Sequence, residues 1–270
     1  MEESLEHSLI IPFYKSASYL AGTLERAFAW GEGTGESFEV LAVDDGSPDS
    51  TWEALLEFRK KFPDLPLSLL KHEKNQGKGM AVRTGVRAAR GKFVYFTDAD
   101  LTYPLESLDA LAAALKDGAD MAIGCRTHPE SRYLVSPAFF PILFRRHLSG
   151  RIFNLLVRLL VVPGIHDTQA GIKGFRKASA KRIFAMGRLN RFSFDVELLF
   201  LARKWGLDVR EVPVLFIYGK EPSTVRFFQD SLRMIRDMLL IRWWDLTGRY
   251  REDPPGGIPG PGASPGRTDG

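Results

Sequence analysis

The sequence has a single cysteine, Cys125, so no disulfide can form within the chain. A lone cysteine is typical of a protein from a reducing compartment, and we expect Cys125 to be a small buried residue rather than a nucleophile. The first residues include Glu2, Glu3 and Glu6, whereas a secretory signal has positive charge followed by an apolar run. We therefore expect a cytoplasmic protein.

Long hydrophobic runs are also missing, since a membrane-spanning helix needs about 18 or more apolar residues in succession. The nearest candidate, residues 138–162, is interrupted by Arg145, Arg146, Arg151 and Arg158. Residues 251–270 hold five prolines and six glycines and have little to bury. We expect a disordered tail there, after one folded domain at residues 1–250.

The net charge is only +4, but it is unevenly distributed. Residues 1–138 hold 15 Lys and Arg against 21 Asp and Glu, whereas residues 139–250 hold 20 against 9. A basic half indicates an anionic partner such as a phosphate or a lipid headgroup, the alternative being basic residues kept for solubility. No RNA- or DNA-binding motif is present, so no nucleic-acid partner is expected. One basic run is interpreted as a solvated helix face: Lys173, Arg176, Lys177, Lys181 and Arg182.

Short apolar runs alternate with helical patterns in the first half of the chain. The runs that are typical of buried strands are residues 9–11, 40–43, 67–70, 93–96 and 121–123. The predicted helices are residues 17–30, 50–62, 77–89 and 104–116. This alternation predicts an α/β fold, with a mostly parallel, Rossmann-like sheet flanked by helices. Ligands of such sheets bind beyond the carboxyl ends of the strands.

Three polar clusters follow predicted strands, namely Asp44–Ser47, Asn75–Gly79 and Asp98–Asp100. Asp98 and Asp100 offer two carboxylates that suit Mg²⁺ or Mn²⁺, ions that keep several waters and bridge substrate phosphates. The alternative is a pair of aspartates that form a turn or cap a helix. The sequence therefore favours a metal site only in combination with the other clusters.

The cluster at Asn75–Gly79 combines glycines with Lys78 at the start of a predicted helix. Gly77 lets the backbone approach an anion, and both the lysine and the helix N-terminus favour phosphate. A loop followed by a helix cap is the alternative. The spacing is not that of a Walker sequence, and no Gly-x-Gly-x-x-Gly follows the first strand, which disfavours a nicotinamide cofactor.

The order of these clusters resembles the inverting, nucleotide-sugar-dependent glycosyltransferases of family 2, which have the GT-A fold. The resemblance covers about residues 8–250. In the first half it rests on Ile11–Tyr14, Val43–Ser47, Asn75–Gly79, Ala81–Arg83 and Asp98–Asp100. In the second half it rests on Gly124–Arg126, Asp167–Lys173, Phe194–Leu198 and Val212–Val214, which look most like the dolichyl-phosphate β-glucosyltransferases, with the mannose synthases next.

The resemblance implies roles for individual residues. The nucleotide-binding half, about residues 8–124, would hold the nucleoside through Pro12, Tyr14, Asp44 and Asp45, with Arg83 nearby. Asp98 and Asp100 would meet the metal and the diphosphate, with Gly77 and Lys78 at the phosphates. In the acceptor-facing half, about residues 125–250, Asp167 would sit at the reacting centre and Arg126 near the acceptor phosphate.

The chain also departs from the family pattern. Lys15 and Ser16 stand where the family usually has Asn-Glu, and Thr102 stands where some mannose synthases have a glutamine ligand. The late Ser-Lys-Leu of the family is replaced by residues 223–225, Ser-Thr-Val. Lys220 or Arg226 is a candidate substitute for the missing lysine.

The chemistry implied by the resemblance needs cations rather than a base. A polyprenyl monophosphate has a second pKa near ~6 and is already mostly a dianion at neutral pH. Asp167 is therefore assigned to orienting groups or metal. An isoprenoid acceptor must be met at a membrane surface, which suits two predicted amphipathic helices at residues 138–162 and 225–244 that mix arginines with apolar residues. From periodicity alone, both would be ordinary helices packed on the sheet.

Two other functions remain open at this point. One is a cytosolic glycosyltransferase with a small soluble phosphorylated acceptor. The other is a non-enzymatic basic module that binds lipid or nucleic acid and has no use for Asp98 and Asp100. The sequence carries no signature of oligomeric state.

Overall fold

A computed structural model describes residues 5–135, 157, 161–191, 193–218 and 227–251. The four arginines between residues 138 and 162, residues 220 and 223–226, and the tail beyond Arg251 lie outside the described residues. Expectations about them stay predictions.

The described part of the chain forms nine strands. They are β1 (His7–Phe13), β2 (Phe38–Asp44), β3 (Leu67–Lys71), β4 (Phe93–Phe96), β5 (Met121–Cys125), β6 (Arg132–Val135), β7 (Lys173–Arg176), β8 (Val209–Pro213) and β9 (Leu215–Tyr218). Seven make one sheet in the order β3-β2-β1-β4-β7-β5-β8. All its pairings are parallel except those of β7, which runs antiparallel to both β4 and β5. β6 and β9 pair in parallel as a separate ribbon.

Helices follow the strands as the alternation predicts. They are α1 (Leu20–Gly33), α2 (Thr51–Lys61), α3 (Lys78–Ala88), α4 (Ser107–Lys116), α5 (Lys177–Met186), α6 (Phe194–Lys204) and α7 (Phe227–Leu246). The five predicted strands and the first four predicted helices are confirmed, with helix starts shifted by up to three residues. Just before α2, the Asp49 carboxylate accepts hydrogen bonds from the Thr51 amide and hydroxyl.

The core has two layers because successive side chains of a strand point to opposite faces. Leu9 and Ile11 of β1 pack in the layer that contains α1, α2 and α4, whereas Ile10 packs in the layer that contains α3, α5 and α6. Each layer buries aliphatic and aromatic side chains completely. The sheet is therefore rigid, and its carboxyl edge is a fixed platform.

The interpretation of the run Lys173–Arg182 as a solvated helix face is wrong for its first members. Lys173 and Arg176 lie in the central strand β7, and the Lys173 side chain is fully buried. Arg176 donates hydrogen bonds to the carbonyls of Leu115 and Ala119 at the end of α4, where a helix leaves carbonyls without partners. Lys181 is exposed on α5, as expected.

The helix predicted at residues 225–244 also differs in its faces. Asp237 is buried and accepts a hydrogen bond from the Ser193 hydroxyl at 2.8 Å. Met238 and Ile241 pack beside it in the core. The outward face instead carries four exposed apolar side chains at helical spacing, Ile235, Leu239, Trp243 and Leu246.

Lys173 is held by a buried ion pair. Its Nζ lies 2.6 Å from Asp195 Oδ1 on α6 and donates to the Ala170 carbonyl at 2.5 Å. Burial lowers the pKa of Lys173, and the charge of Asp195 offsets only part of that effect. The pair thus links the central strand to α6 and to the loop before β7.

Replacing Lys173 by methionine should destabilise the fold strongly. The change leaves the Asp195 carboxylate buried without its cation, which typically costs about 3–5 kcal/mol. Urea unfolding of Lys173→Met against the exposed control Lys181→Met measures it, and the control should stay within about 0.5 kcal/mol of the parent. Equal unfolding free energies for the two variants would contradict the structural role of the pair.

Candidate active site

The loop after β3 is organised by Asp45. Its Oδ1 accepts from His72 Nδ1 at 2.7 Å and from the Gln76 amide at 2.9 Å. Its Oδ2 accepts from Asn75 Nδ2 at 2.9 Å and from the Gly77 amide at 2.8 Å. Four donors occupy both oxygens, so Asp45 shapes the loop and has little capacity left for the nucleoside contact predicted for it.

Gly77 is required where this loop enters α3. Its φ of +100° lies in the region that favours glycine, and a Cβ there would stand 2.4 Å from the Asn190 carbonyl oxygen. The Gly79 amide donates to the Asn190 carbonyl at 2.8 Å, and the Met80 and Ala81 amides donate to the Gly77 carbonyl. Among the described contacts, the Lys78 amide is therefore the one at this helix start that is left for an anion.

Asp44 behaves differently from its neighbour. It is the last residue of β2, and its Oδ1 accepts only from the Ser47 amide at 3.1 Å. Its Oδ2 is buried and has no partner among the described residues. A buried carboxylate oxygen without a donor is costly, so this atom is a candidate acceptor for a hydrogen-bond donor of a ligand.

Two other predicted nucleoside contacts share this part of the edge. Pro12 pairs in register with Val43 of β2, and Tyr14 follows β1 with 38% of its surface exposed. Lys15 has a positive φ of +56°, and its Nζ lies 5.5 Å from the centroid of the Tyr14 ring. Lys15, which stands where the family usually has asparagine, thus places a positive charge beside the predicted nucleobase site.

Arg83 is placed beneath the loop rather than in the cleft. Its guanidinium donates to the carbonyl of Phe184, to Asn190 Oδ1 and to the carbonyl of Leu189. The side chain is 6% exposed, and burial lowers its pKa. Arg83 therefore holds residues 184–190 against α3, and its place near the nucleoside stays a prediction.

The predicted metal ligands lie at the end of β4, next to Lys78. Lys78 Nζ is 2.6 Å from Asp98 Oδ1, and the Asp100 Oδ1 accepts from the Thr102 amide at 3.1 Å. Desolvation alone would lower the pKa of Lys78, but the charges of Asp98, Asp195 and Asp100 outweigh it and raise that pKa. Asp98 is thus already paired with a lysine, whereas Asp100 binds the backbone of its own turn. That both carboxylates hold one divalent ion stays a prediction.

The residues at this point fit a hard divalent ion. Gly171 packs so closely that a Cβ would stand 1.8 Å from Asp98 Oδ2, which fixes the carboxylate from behind. No cluster of three or more His, Cys, Asp or Glu side chains that could hold a metal occurs in the described ranges. Two carboxylates leave several coordination positions for water and phosphate oxygens, which is the environment that Mg²⁺ accepts.

Arg126 and Asp167 form a second pair on the same edge. Asp167 accepts from Arg126 Nε at 2.7 Å, from Arg126 Nη2 at 2.9 Å and from the Arg126 amide at 2.9 Å. Burial alone would raise the pKa of Asp167, but the Arg126 charge and these hydrogen bonds lower it. Asp167 is therefore an ionised group that orients Arg126, which agrees with the predicted orienting role.

Aromatic residues build the surroundings of Arg126. Its guanidinium carbon lies 5.6 Å from the centroid of the Phe216 ring in β9, and its carbonyl accepts from the Tyr133 hydroxyl at 2.7 Å. Tyr103 packs edge-on against Phe216 at 5.1 Å. Both strands of the ribbon thus support the arginine.

Several residues that position the site were not predicted from the sequence. Glu211 of β8 accepts hydrogen bonds from the amides of His166 and Asp167 and so fixes the start of the 167–171 loop. Its only sequence signal is an acidic residue inside a strand pattern. Lys173 ends the Asp167–Lys173 motif, but it is grouped with the basic run that follows, so its buried role is missed.

The prediction for Cys125 is confirmed, and three acidic or basic residues nearby have defined partners. Cys125 is buried, and burial raises the pKa of its thiol to about 11, so it is a poor nucleophile. Asp195 and Glu197 face different surroundings on α6, since Asp195 pairs with Lys173 and Glu197 accepts from the Leu189 amide and the Tyr250 hydroxyl. His166 pairs with Glu211.

The sequence comparison identifies the family. The pattern described as glycosyl transferase family 2 matches residues 8–184, and the chain belongs to that family. A dolichyl-phosphate β-glucosyltransferase from Drosophila melanogaster is 36% identical over 92% of this chain and 78% of that protein. The proteins of the same name from Homo sapiens and Saccharomyces cerevisiae are 31% and 30% identical, over 90% and 93% of this chain and 77% and 78% of their own lengths.

Solved structures confirm the GT-A fold. A mannosyltransferase from Pyrobaculum calidifontis in complex with GDP-mannose and Mn²⁺ has a TM-score of 0.56 at 20% identity, over 94% of this chain and 67% of that one. A glucosyl-3-phosphoglycerate synthase from Mycobacterium tuberculosis with Mn²⁺, UDP-glucose and phosphoglyceric acid reaches 0.63 at 14% identity, over 93% and 82%. The mannosyl-3-phosphoglycerate synthase of Rubrobacter xylanophilus also reaches 0.63, at 19% identity, over 91% and 76%.

Replacing Gly171 by alanine should impair the site without unfolding the protein. The added methyl group must push Asp98 away, and a misplacement of about 1 Å at a reacting centre costs roughly 100-fold in rate. The measurement is release of nucleoside diphosphate from a nucleotide sugar under saturating Mn²⁺. Gly33→Ala is the matched control, because a Cβ at Gly33 meets nothing within 4 Å, and equal rates for both variants would contradict the assigned contact.

Proposed function

We propose that this protein is a metal-dependent, inverting glycosyltransferase that moves glucose from UDP-glucose to dolichyl phosphate or another polyprenyl phosphate at the cytoplasmic face of a membrane. The observation that carries the proposal is the Arg126–Asp167 pair on the same sheet edge as Lys78 and Asp98. Arg126 would thereby offer a positive charge to an acceptor phosphate at the same sheet edge where Lys78 would bind a diphosphate. The dolichyl-phosphate β-glucosyltransferases that match nine-tenths of the chain support the choice of acceptor.

The donor would lie across the carboxyl ends of the first four strands. Asp44 Oδ2 needs a hydrogen-bond donor, and the N3–H of uracil or the N1–H of guanine would be one. UDP-glucose is favoured because the relatives are glucosyltransferases, and GDP-mannose is the second choice. Lys78, through its ammonium and its amide, would bind the diphosphate. Residues 8–124 would thus supply most donor contacts, and residues 125–250 would supply the acceptor contacts.

Asp98 and Asp100 would hold Mg²⁺ or Mn²⁺. Either ion, when bound, neutralises charge that develops on the departing diphosphate. Lys78 would add a second positive charge to the same oxygens, and Gly171 would keep the Asp98 carboxylate from turning away. These residues position charge rather than transfer protons.

No catalytic base is needed for the acceptor. A phosphate monoester is mostly a dianion at neutral pH, and Asp167 is occupied by hydrogen bonds from Arg126. Arg126 would bind the acceptor phosphate and bring one oxygen in line with the anomeric carbon. That oxygen forms a bond to C1 while the bond from C1 to the diphosphate oxygen breaks, and the electron pair leaves with the nucleoside diphosphate. Attack from the opposite side converts an α-linked donor into a β-linked product.

The outward face of α7 supports a peripheral contact with a membrane. Ile235, Leu239, Trp243 and Leu246 are exposed side by side, and Arg242 is exposed among them. Apolar side chains with basic neighbours suit the headgroup region of an anionic membrane. Among the helices that the structure describes, none is long and apolar enough to cross a membrane.

In the direct test, the protein is incubated with a panel of nucleotide sugars, with Mn²⁺ or Mg²⁺, and with either a short polyprenyl phosphate or 3-phosphoglycerate as the acceptor. We expect UDP-glucose and the lipid phosphate to give a β-linked glucosyl lipid. Arg126→Gln should lower kcat/KM for the lipid by about 100- to 1,000-fold, because a preorganised cation is lost. The donor Kd should change less than about twofold, since Arg126 contacts only the acceptor.

The exposed Arg87 provides a matched control as Arg87→Gln, which should leave both constants unchanged. Transfer to 3-phosphoglycerate alone would replace the lipid acceptor by a small soluble one. Absence of any transfer, with Asp100→Ala leaving nucleotide affinity intact, would favour a binding module and overturn the proposal.

The membrane contact predicts a second effect. Burying one large apolar side chain contributes about 1.5–3 kcal/mol, so Leu239→Glu should weaken binding to anionic vesicles at least about tenfold. Co-sedimentation with vesicles of phosphatidylserine and phosphatidylcholine measures this. Leu56→Glu, at an exposed leucine of α2, is the matched control, and an equal loss in both variants would count against the α7 face.

A further inference from the structure

Asp98, the first expected metal ligand, already has a cation as its partner. Lys78 Nζ lies 2.6 Å from Asp98 Oδ1, and both side chains reach the cleft, with 20% and 34% of their surface exposed. The ammonium is also 5.5 Å from the centroid of the Phe96 ring and 5.8 Å from that of Phe194. The aromatic faces favour a cation at this spot. A divalent ion that approaches Asp98 therefore has to compete with the ammonium of Lys78 for the carboxylate.

A second ion pair lies immediately behind the first. Lys173 and Asp195 are 2.6 Å apart and almost completely buried. Lys173 Nζ is 5.6 Å from the centroid of the same Phe96 ring, and its charge acts on Lys78. Because Asp195 pairs with Lys173, this buried pair adds little net charge behind Asp98. A divalent ion at Asp98 would therefore compete mainly with Lys78 while the diphosphate is absent.

The Lys78 ammonium can move away from Asp98. The Lys78 side chain is 20% exposed, so the ammonium can leave Asp98 and still reach the cleft. Lys78 is also the first residue of α3, so its own amide stands at the helix N-terminus that is expected to meet a diphosphate. A diphosphate there would offer the lysine new oxygens, and Asp98 would then be free for a metal ion.

We infer that Lys78 is a resident counter-ion of Asp98 that makes metal binding depend on the nucleotide. The inference rests on the proposed donor site. Without nucleotide, Lys78 neutralises Asp98 and competes with the divalent ion. When the diphosphate arrives, Lys78 moves its charge to the phosphate oxygens, and the released carboxylate accepts the metal. Linkage then requires that metal and nucleotide each tighten the binding of the other by the same factor.

The test measures Mn²⁺ affinity directly, from the EPR signal of the free ion, with and without saturating UDP. In the parent protein, UDP should tighten Mn²⁺ binding by about tenfold or more, within the usual range of coupling between two sites. In Lys78→Gln, Mn²⁺ alone should bind about tenfold more tightly than in the parent, and the coupling should fall about threefold or more. The coupling that remains comes from phosphate oxygens that the ion itself can bind. A variant that is merely damaged would bind Mn²⁺ more weakly.

Three further variants make the result decisive. Lys78→Met removes the charge with a different side chain and should repeat the effect, whereas Lys78→Arg keeps the charge and should keep the coupling. Lys74→Gln is the matched control at an exposed lysine of the same loop and should behave as the parent. If Lys78→Gln and Lys78→Met tighten Mn²⁺ binding by the same factor with and without UDP, Lys78 only repels the ion. That result would refute the movement of Lys78 from Asp98 to the diphosphate.

The same measurements separate this inference from the proposed function. A parent protein that binds neither UDP nor GDP in the presence of Mn²⁺ would overturn the donor site itself. A parent protein with strong coupling that survives intact in Lys78→Gln and Lys78→Met would overturn only the role of Lys78.

Discussion

Paired charge is the constraint on which the carboxyl edge of the sheet depends. Lys78 pairs with Asp98, Lys173 with Asp195 and Arg126 with Asp167, and in each pair the two partners come from different segments of the chain. A buried ion pair contributes little net stability, because desolvation consumes most of the attraction. Losing one partner is costly, however, so these pairs fix which loop lies where. Gly171 and the Ala170 carbonyl are in position because Lys173 is.

The sheet and its ligand edge follow from local patterns in the sequence. Buried strands give continuous apolar runs, and polar residues after them must gather at one edge when the strands are parallel. The division of labour between Asp44 and Asp45 does not follow in this way. Both acids stand in the same turn, and only the path of the loop decides that Asp45 meets four donors whereas one oxygen of Asp44 meets none.

The basic half of the chain shows a second limit of sequence reasoning. Its excess of positive charge pointed to an anionic partner, yet Lys173 and Arg176 are used inside the protein, on Asp195 and on the carbonyls of α4. Asp237 of α7 is similar, because its place is set by the Ser193 hydroxyl and not by helical periodicity. Sequence reasoning places a polar residue on the protein surface unless its buried partner is known. The partners of these residues are distant along the chain, so the sequence does not reveal them.

The reversed strand β7 has a consequence for how the protein is made. β4 ends at Phe96, whereas the strand that completes its hydrogen bonding begins at Lys173, and Asp195 follows later still. During translation, Asp98 and residues 75–79 therefore leave the ribosome long before Lys173 and α6, which stabilise this edge, have been synthesised. Contacts between such distant segments form late in folding. A nascent chain that carries every donor-binding motif is thus expected to remain without a working cleft until β7 has inserted between β4 and β5.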